Sequence, residues 1–189
     1  MSMLPKIFDS ISAFRQEDEL PALESLDAYV EYIVPKIRAW GEDLDEQHFF
    51  LDTKWQELRS DDRFQDTVIH IFREGREYMR SINGDIKRGS WELMEGENNM
   101  ILDSRDGTEL YELVFMNRHF FILKKHGGKR RPDKPKYFVM GNENSVGRLT
   151  WREYAEALDS VFERSNSAVW VVGGAILFLV ALFILLSRY

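Results

Sequence analysis

Residues 105–125, RDGTELYELVFMNRHFFILKK, decide the predicted fold class. From residue 109 to residue 116 successive side chains fall alternately on two opposite faces, as they do along a strand. Asp106-Gly107 before this run is a strong hairpin signal, and Asn117-Arg118 after it indicates another turn. Residues 119–125 again have strand character. The stretch therefore predicts antiparallel strands joined by tight turns.

The strand pattern continues on both sides of this stretch. It begins near Gly89-Ser90-Trp91, turns at Asn98-Asn99 and resumes with the apolar run 100–102. Residues 137–140 are a candidate last strand. Residues 86–147 are therefore predicted to form an antiparallel meander of four or five strands, with one face packed on helices.

Gly89-Ser90-Trp91 at the start of the meander resembles the G-x-W opening of lipocalin-like barrels. The resemblance covers three residues, and it implies a ligand-holding barrel of eight strands. Only about 55 residues of strand character follow, roughly half of what such a barrel requires. The chain is therefore not assigned to that family, and a small closed or half-open β-structure is predicted. The aromatic residues of this region are assigned to the core rather than to a ligand pocket: Phe115, Phe120, Phe121, Tyr137 and Phe138.

Residues 1–85 are predicted to be a helical layer. Apolar residues between 23 and 40 recur at steps of three and four, which marks one face of an amphipathic helix, and Pro35 interrupts this run. A second helix is predicted over residues 46–59. A third follows the Ser60-Asp61-Asp62 cluster and ends at Asn83-Gly84, which is a C-cap signal.

Residues 148–167 are predicted to be a connecting helix with a short linker. Thr150 and Glu153 fit a capping box at its start. Its apolar side chains lie on one helix face, and Ser165-Asn166-Ser167 separates it from the next segment.

Residues 168–186, AVWVVGGAILFLVALFILL, contain no charged side chain. A helix of this length spans about 28 Å, close to the thickness of a hydrocarbon core. Arg164 and Arg188 flank the segment, and Trp170 and Tyr189 lie near its ends, as interfacial aromatic residues do. The sequence therefore predicts a single C-terminal transmembrane helix. The whole chain is predicted to be an α+β protein, with the helical layer on the meander and this helix at its end.

The N-terminal sequence MSMLPKIFDS has neither the basic nor the apolar region of a signal peptide. This predicts a tail-anchored, single-pass membrane protein whose folded domain lies on the cytosolic side. The absence of cysteine agrees with a reducing compartment. Gly173, Gly174 and Ala175 form a small-residue patch, through which the transmembrane helix is predicted to pack against another helix.

Composition limits the chemistry of the chain. It has 189 residues, a net charge of −7 and no cysteine, which excludes disulfides, a thiol nucleophile and cysteine metal sites. The sequence contains no G-x-S-x-G, P-loop or G-x-G-x-x-G motif. No catalytic residue, cofactor or metal ligand is therefore predicted, and the protein is predicted not to be an enzyme.

One histidine has acidic residues at helical spacing on both sides. His70 has Asp66 and Glu74 four residues to either side, so a helix would place the three side chains on one face. A metal site would need further ligands, and the sequence has neither HExxH nor a paired Glu-x-x-His. An exposed polar stripe with local ion pairs is the prediction.

The strongest local charge feature is the run 124–136, which holds seven cations and one acid. Its candidate roles are contact with anionic lipid headgroups, docking on an acidic partner or on the protein's own acidic helices, and a solvated loop. Nucleic-acid binding is disfavoured because the chain is acidic overall and carries no reader motif. The candidate contact residues are Lys124, Lys125, Lys129, Arg130, Arg131, Lys134 and Lys136.

The anchor, the short linker and the missing catalytic motifs predict an adaptor or accessory subunit of a membrane-associated complex. Its partners would be the membrane, through residues 168–186, and a protein or a second copy of the chain. The alternative is a membrane-anchored ligand sensor, whose meander binds a small molecule and whose transmembrane helix oligomerises. A membrane-bound enzyme is the least favoured hypothesis.

Overall fold

The computed structural model describes residues 20–61, 66–94, 96–126 and 135–161. Eight antiparallel strands form a closed barrel, in which each strand pairs with its neighbours along the chain and the last pairs with the first. The strands are β1 Trp55–Leu58, β2 Val68–Phe72, β3 Glu77–Ile82, β4 Asp85–Leu93, β5 Asn99–Ser104, β6 Gly107–Met116, β7 Phe120–His126 and β8 Tyr137–Asn142.

Within the described residues, two α-helices accompany the barrel. Helix α1 is Leu26–Ile37, and the described part of helix α2 is residues 151–161. Ser25 caps α1, because its Oγ accepts a hydrogen bond of 3.2 Å from the amide of Ala28. Short 3₁₀ turns lie at Arg38–Trp40, Gln47–Phe49 and Glu74–Arg76.

The barrel has two different ends, which we call the base and the mouth. The base is the end at which the connections 73–76 and 117–119 lie, and residues 41–52 run across it. The mouth is the opposite end, where the turns 83–84 and 105–106 lie. Because the strands alternate in direction, β7 ends and β8 begins at the mouth.

Apolar side chains form two clusters, one on each side of the barrel wall. The outer cluster joins α1 and α2 to the outward faces of β1, β6, β7 and β8. Each buried side chain of α1 stabilises this packing by about 1.5–3 kcal/mol. The inner cluster fills the base, with Phe50, Trp55, Phe72 and Phe121 all essentially inaccessible to solvent.

The predicted helical layer is wrong. Residues 55–58, 68–72 and 77–82 are strands of the barrel, so a helical layer does not pack on a four- to five-stranded meander. In β2, Val68, His70 and Phe72 point into the barrel, whereas Ile69 and Ile71 point outward. Apolar residues therefore occupy both faces and a polar residue occupies the inner one. This removes the two-residue alternation on which strand recognition depends.

Asn83-Gly84 is also different from its prediction as a helix end. The two residues are the turn between β3 and β4, where Ile82 pairs with Asp85. Asn83 has φ 50° and Gly84 has φ 92°, as a type I′ hairpin turn requires. An Asn-Gly pair serves both a helix end and a hairpin, and here the neighbouring strands select the hairpin.

The G-x-W motif has a physical role in the barrel. A Cβ at Gly89 would lie 2.1 Å from the carbonyl oxygen of Asp103, so only glycine lets β4 pass this close to β5. Two residues later Trp91 points into the base and is buried.

Several predictions are confirmed. The strands at 107–116, 120–126 and 137–142, the hairpin at Asp106-Gly107 and the helix after Thr150 are all present. A β-bulge near Val114 changes one detail of β6, since Phe115 joins the outer cluster whereas Leu113 and Met116 belong to the inner one.

The predicted transmembrane helix, residues 168–186, lies outside the described residues, as does its small-residue patch. Within the part of the chain that the structure describes, no helix has the length and apolar character needed to cross a membrane.

Candidate functional site

The barrel interior contains a buried polar chain of three side chains, which extends from Tyr78, opposite Phe72 near the base, to Glu57 on the mouth side of Trp55. His70 on β2 is 2% exposed and is the one buried polar residue among those the structure describes. Its Nδ1 lies 2.6 Å from the hydroxyl of Tyr78, and its Nε2 lies 3.2 Å from Oε2 of Glu57. Arg59 donates to the other oxygen of Glu57 at 2.6 Å. Three strands thus contribute one side chain each to a continuous hydrogen-bonded chain.

The partners of His70 fix its tautomer. A carboxylate oxygen only accepts, so Nε2 carries the hydrogen and donates it to Glu57. Burial lowers the pKa of His70 below its ordinary value, which keeps the ring neutral, so Nδ1 accepts from the hydroxyl of Tyr78. Burial alone would raise the pKa of Glu57, but the hydrogen bond from His70 and the charge of Arg59 outweigh it, and that pKa is lowered. At neutral pH the chain is therefore Tyr–OH, neutral imidazole and carboxylate.

Ion pairs surround this chain at the mouth. Arg80 pairs with Asp106, which lowers the pKa of that carboxyl group. Lys125 pairs with Glu109, and Glu109 also accepts from the hydroxyl of Tyr111. In the described part of the mouth, these two ion pairs place cations beside acids.

The Tyr78–His70–Glu57 order is one that could move a proton between a hydroxyl and a carboxylate. A reaction would need a substrate beside the Tyr78 hydroxyl, but Tyr78 is 4% exposed. The ring of Phe138 covers His70 edge-on at 4.8 Å between centroids. The three side chains therefore form a buried network whose hydrogen bonds are made within the barrel and which fixes the orientation of each ring and carboxylate.

The predicted environment of His70 is wrong. The residue lies on a strand inside the barrel and not on an exposed helix stripe. Asp66 accepts a hydrogen bond from the side-chain Nδ2 of Asn83. Glu74 lies at the base, beyond the other end of β2. Among the described residues, no cluster of three or more potential metal ligands occurs.

A groove lies at the base of the barrel, with a volume of about 330 Å³. Leu51, Trp91 and Leu93 form its apolar floor, and Gln47, Glu74, Gly75 and Arg76 form its rim. A second cavity, of about 50 Å³, lies beside Arg38 and Gly41. Neither of these two cavities is lined by residues of the Tyr78–His70–Glu57 chain.

Hydrogen bonds and ion pairs hold the walls of the groove. The indole Nε1 of Trp91 donates to the carbonyl oxygen of Arg73 at 2.9 Å, and the amide of Asp52 donates to Phe72 at 2.8 Å. Arg76 Nη1 lies 2.6 Å from a carboxylate oxygen of Glu92. The groove is therefore formed before any ligand arrives.

The predicted basic contact run is only partly described. Lys124 lies 3.4 Å from Glu112, and Lys125 pairs with Glu109. Lys136 pairs with Glu31 of α1, which raises its pKa, and its backbone amide donates to Asp27 at 2.7 Å. The remaining candidates, Lys129, Arg130, Arg131 and Lys134, lie outside the described residues. At both ends of the run, cations thus contact acids of the same chain.

Sequence reasoning missed Glu57, Tyr78 and the groove. Glu57 and Tyr78 lie in segments predicted to be helical, and the groove joins such segments to the predicted strand at Trp91 and Leu93, so these neighbours could not be inferred. The spacing Val68-x-His70-x-Phe72 is the one local signal that could have placed His70 on an inward strand face.

Comparisons with models of protein families, with curated proteins and with solved structures gave no match to this chain.

Proposed function

We propose that the barrel is a non-enzymatic interaction module, which acts as an adaptor or accessory subunit of a larger complex. One observation carries this proposal. The inside of the barrel is occupied by its own side chains, with aromatic rings at the base and the hydrogen-bonded Tyr78–His70–Glu57 chain beside them. The surface of the module is then what remains for recognition.

The membrane location stays a prediction from residues 168–186, and the adaptor function does not depend on it. The ligand-sensor alternative requires space inside the barrel. Five aromatic side chains that meet at the base argue against such space, since their ring centroids are 5.4–5.7 Å apart in successive contacts.

The experiment is affinity purification of the full chain from its own host, in a mild detergent, followed by native mass spectrometry. We expect a protein partner at fixed stoichiometry. A monomer without a partner contradicts the proposal, and a small molecule that remains bound to the monomer favours the sensor.

A further inference from the structure

We propose that the groove at the base binds a peptide segment of the partner in which an apolar side chain is flanked by Lys or Arg. This inference rests on the proposed interaction function and names the site and the chemistry of its occupant.

The shape of the groove supports an apolar side chain. Its volume of about 330 Å³ falls at the lower end of ligand pockets, which hold about 300–1,000 Å³. The floor presents Leu51 and Leu93, both half-buried, beside the indole of Trp91. A preformed groove with an apolar floor and a polar rim suits one large side chain, and such buried anchors supply much of the affinity of many interfaces.

The charges around the groove select the flanking residues. Its cations already have acidic neighbours, since Arg76 pairs with Glu92 and Arg73 Nε lies 3.9 Å from Asp52. Glu74 on the rim is exposed and has no partner among the described residues. A peptide whose apolar side chain is flanked by Lys or Arg would pair with Glu74. A peptide with flanking acidic residues would be repelled by the same carboxylate.

The segment that runs across the base adds to the negative electrostatic potential around the groove. Residues 41–54 contain five carboxylates and a single cation, Lys54. The carboxylates are Glu42, Asp43, Asp45, Glu46 and Asp52. A cationic peptide is therefore attracted to this end of the barrel, and more strongly at low ionic strength.

The test uses three fluorescein-labelled peptides and the full chain in detergent, with fluorescence polarisation as the readout. The first peptide, GKLWKG, has the proposed chemistry. The second, GELWEG, reverses the charges, and the third, GKSSKG, removes the apolar side chains. We expect the first peptide to bind at least about tenfold more tightly than either of the others.

Two variants assign the binding to the groove. Gln47→Trp fills the groove from its exposed rim without removing any floor residue. Glu74→Lys reverses the unpaired charge, and we expect it to weaken GKLWKG about tenfold and to strengthen GELWEG. Glu156→Lys, an exposed position on α2, changes the net charge equally and should leave binding unchanged. Methyl chemical shifts of Leu51 and Leu93 should change on addition of GKLWKG.

Four results would overturn the inference, and the last of them leaves the interaction function standing. The first is the absence of saturable GKLWKG binding at about 1 mM peptide. The second is equal binding of the charge-reversed peptide. The third is self-association of the chain that Gln47→Trp abolishes while no peptide binds, because the occupant would then be a second copy. If a purified partner still binds the Gln47→Trp chain, the groove is wrong and the interaction function stands.

Discussion

The two ends of the barrel interior are filled in different ways. At the base, Phe50, Trp55, Phe72 and Phe121 meet through ring faces and edges, and all four are fully buried. Toward the mouth, inward positions are polar, and Glu57 hydrogen-bonds to His70, which Tyr78 reaches from its place opposite Phe72. Inward positions two residues apart on one strand, such as Trp55 and Glu57 on β1, therefore belong to these two different sets.

This difference shows how one barrel can use apolar side chains for stability and hydrogen-bonded side chains to fix the orientation of interior groups. Apolar burial is non-directional and proportional to area, so within the barrel interior the aromatic base contributes more stability than the polar chain does. Hydrogen bonds contribute less net free energy, but an unpaired buried group is costly, so the mouth fixes which side chains point where. Four predictions test this division, in order of expected effect.

Phe121→Ala should cause the largest loss. It removes a ring that contacts three other aromatic rings, and large-to-small changes at such sites cost about 3–5 kcal/mol. Urea unfolding of the full chain in detergent measures the change. Phe138→Ala, a half-buried ring at the mouth, is the matched comparison and should cost clearly less. Equal losses would mean that the mouth contributes as much apolar stabilisation as the base.

Tyr78→Phe should cost about 1–3 kcal/mol, because it leaves Nδ1 of the buried His70 without a donor. Tyr32→Phe, at a Tyr on α1 that is 36% exposed, is the control and should be neutral. The free energy of unfolding again gives the result. A neutral Tyr78→Phe would indicate that the hydroxyl does not hold the imidazole.

Stability should fall as the pH falls below 6.5. Burial lowers the pKa of His70 from its ordinary 6.5, so below that pH the unfolded chain binds a proton that the folded chain does not. The pKa of Glu57 is likewise lowered from its ordinary 4.5, so the folded chain loses further stability as the pH falls below 4.5. One such group changes stability by at most about 1.4 kcal/mol per pH unit.

His70→Gln isolates the contribution of the histidine. We expect this variant to be less stable at pH 7.5, and its unfolding free energy should change less than that of the natural chain between pH 6.5 and 5.5. Titration of His70 followed by NMR checks the direction of the pKa shift independently. A folded-state pKa above 6.5 would contradict the neutral tautomer and reverse the predicted slope.

Lys124→Ala should have the smallest effect, below about 0.5 kcal/mol, because its ion pair with Glu112 is exposed to water. Both side chains are about two-fifths exposed, at 41% and 42%. Thermal unfolding measured at low and high salt provides the comparison. A loss as large as that of Tyr78→Phe would show that ion pairs outside the barrel stabilise the mouth as much as the buried chain does.

Much of the second half of the fold could be predicted from its sequence. Residues 107–116 and 120–126 alternate or are uniformly apolar, and turn residues bound them, so local chemistry defines these strands. The capping box at Thr150 and Glu153 likewise predicts α2, and it forms with Thr150 N to Glu153 Oε2 at 2.8 Å. In each case, residues close along the chain contain the whole signal.

The first half could not be predicted in this way. β1 is four residues long, and β2 places His70 inward between Val68 and Phe72, so neither shows an apolar inner face. Their strand state depends on partners far along the chain, since β1 pairs with β8 and His70 bonds to Glu57 and Tyr78. The groove is equally non-local, because Leu51, Glu74 and Leu93 meet only when the barrel closes.

The sequence by itself determined the hairpins of the second half, the amphipathic helices α1 and α2, the missing catalytic motifs and the apolar segment 168–186. The tertiary structure alone decided that eight strands close into a barrel, that a histidine belongs to its interior, and that a groove opens at its base. The physical reason is that turns, caps and periodicity are set by neighbours within a few residues. A buried polar group is tolerated only where distant strands supply its hydrogen-bond partners.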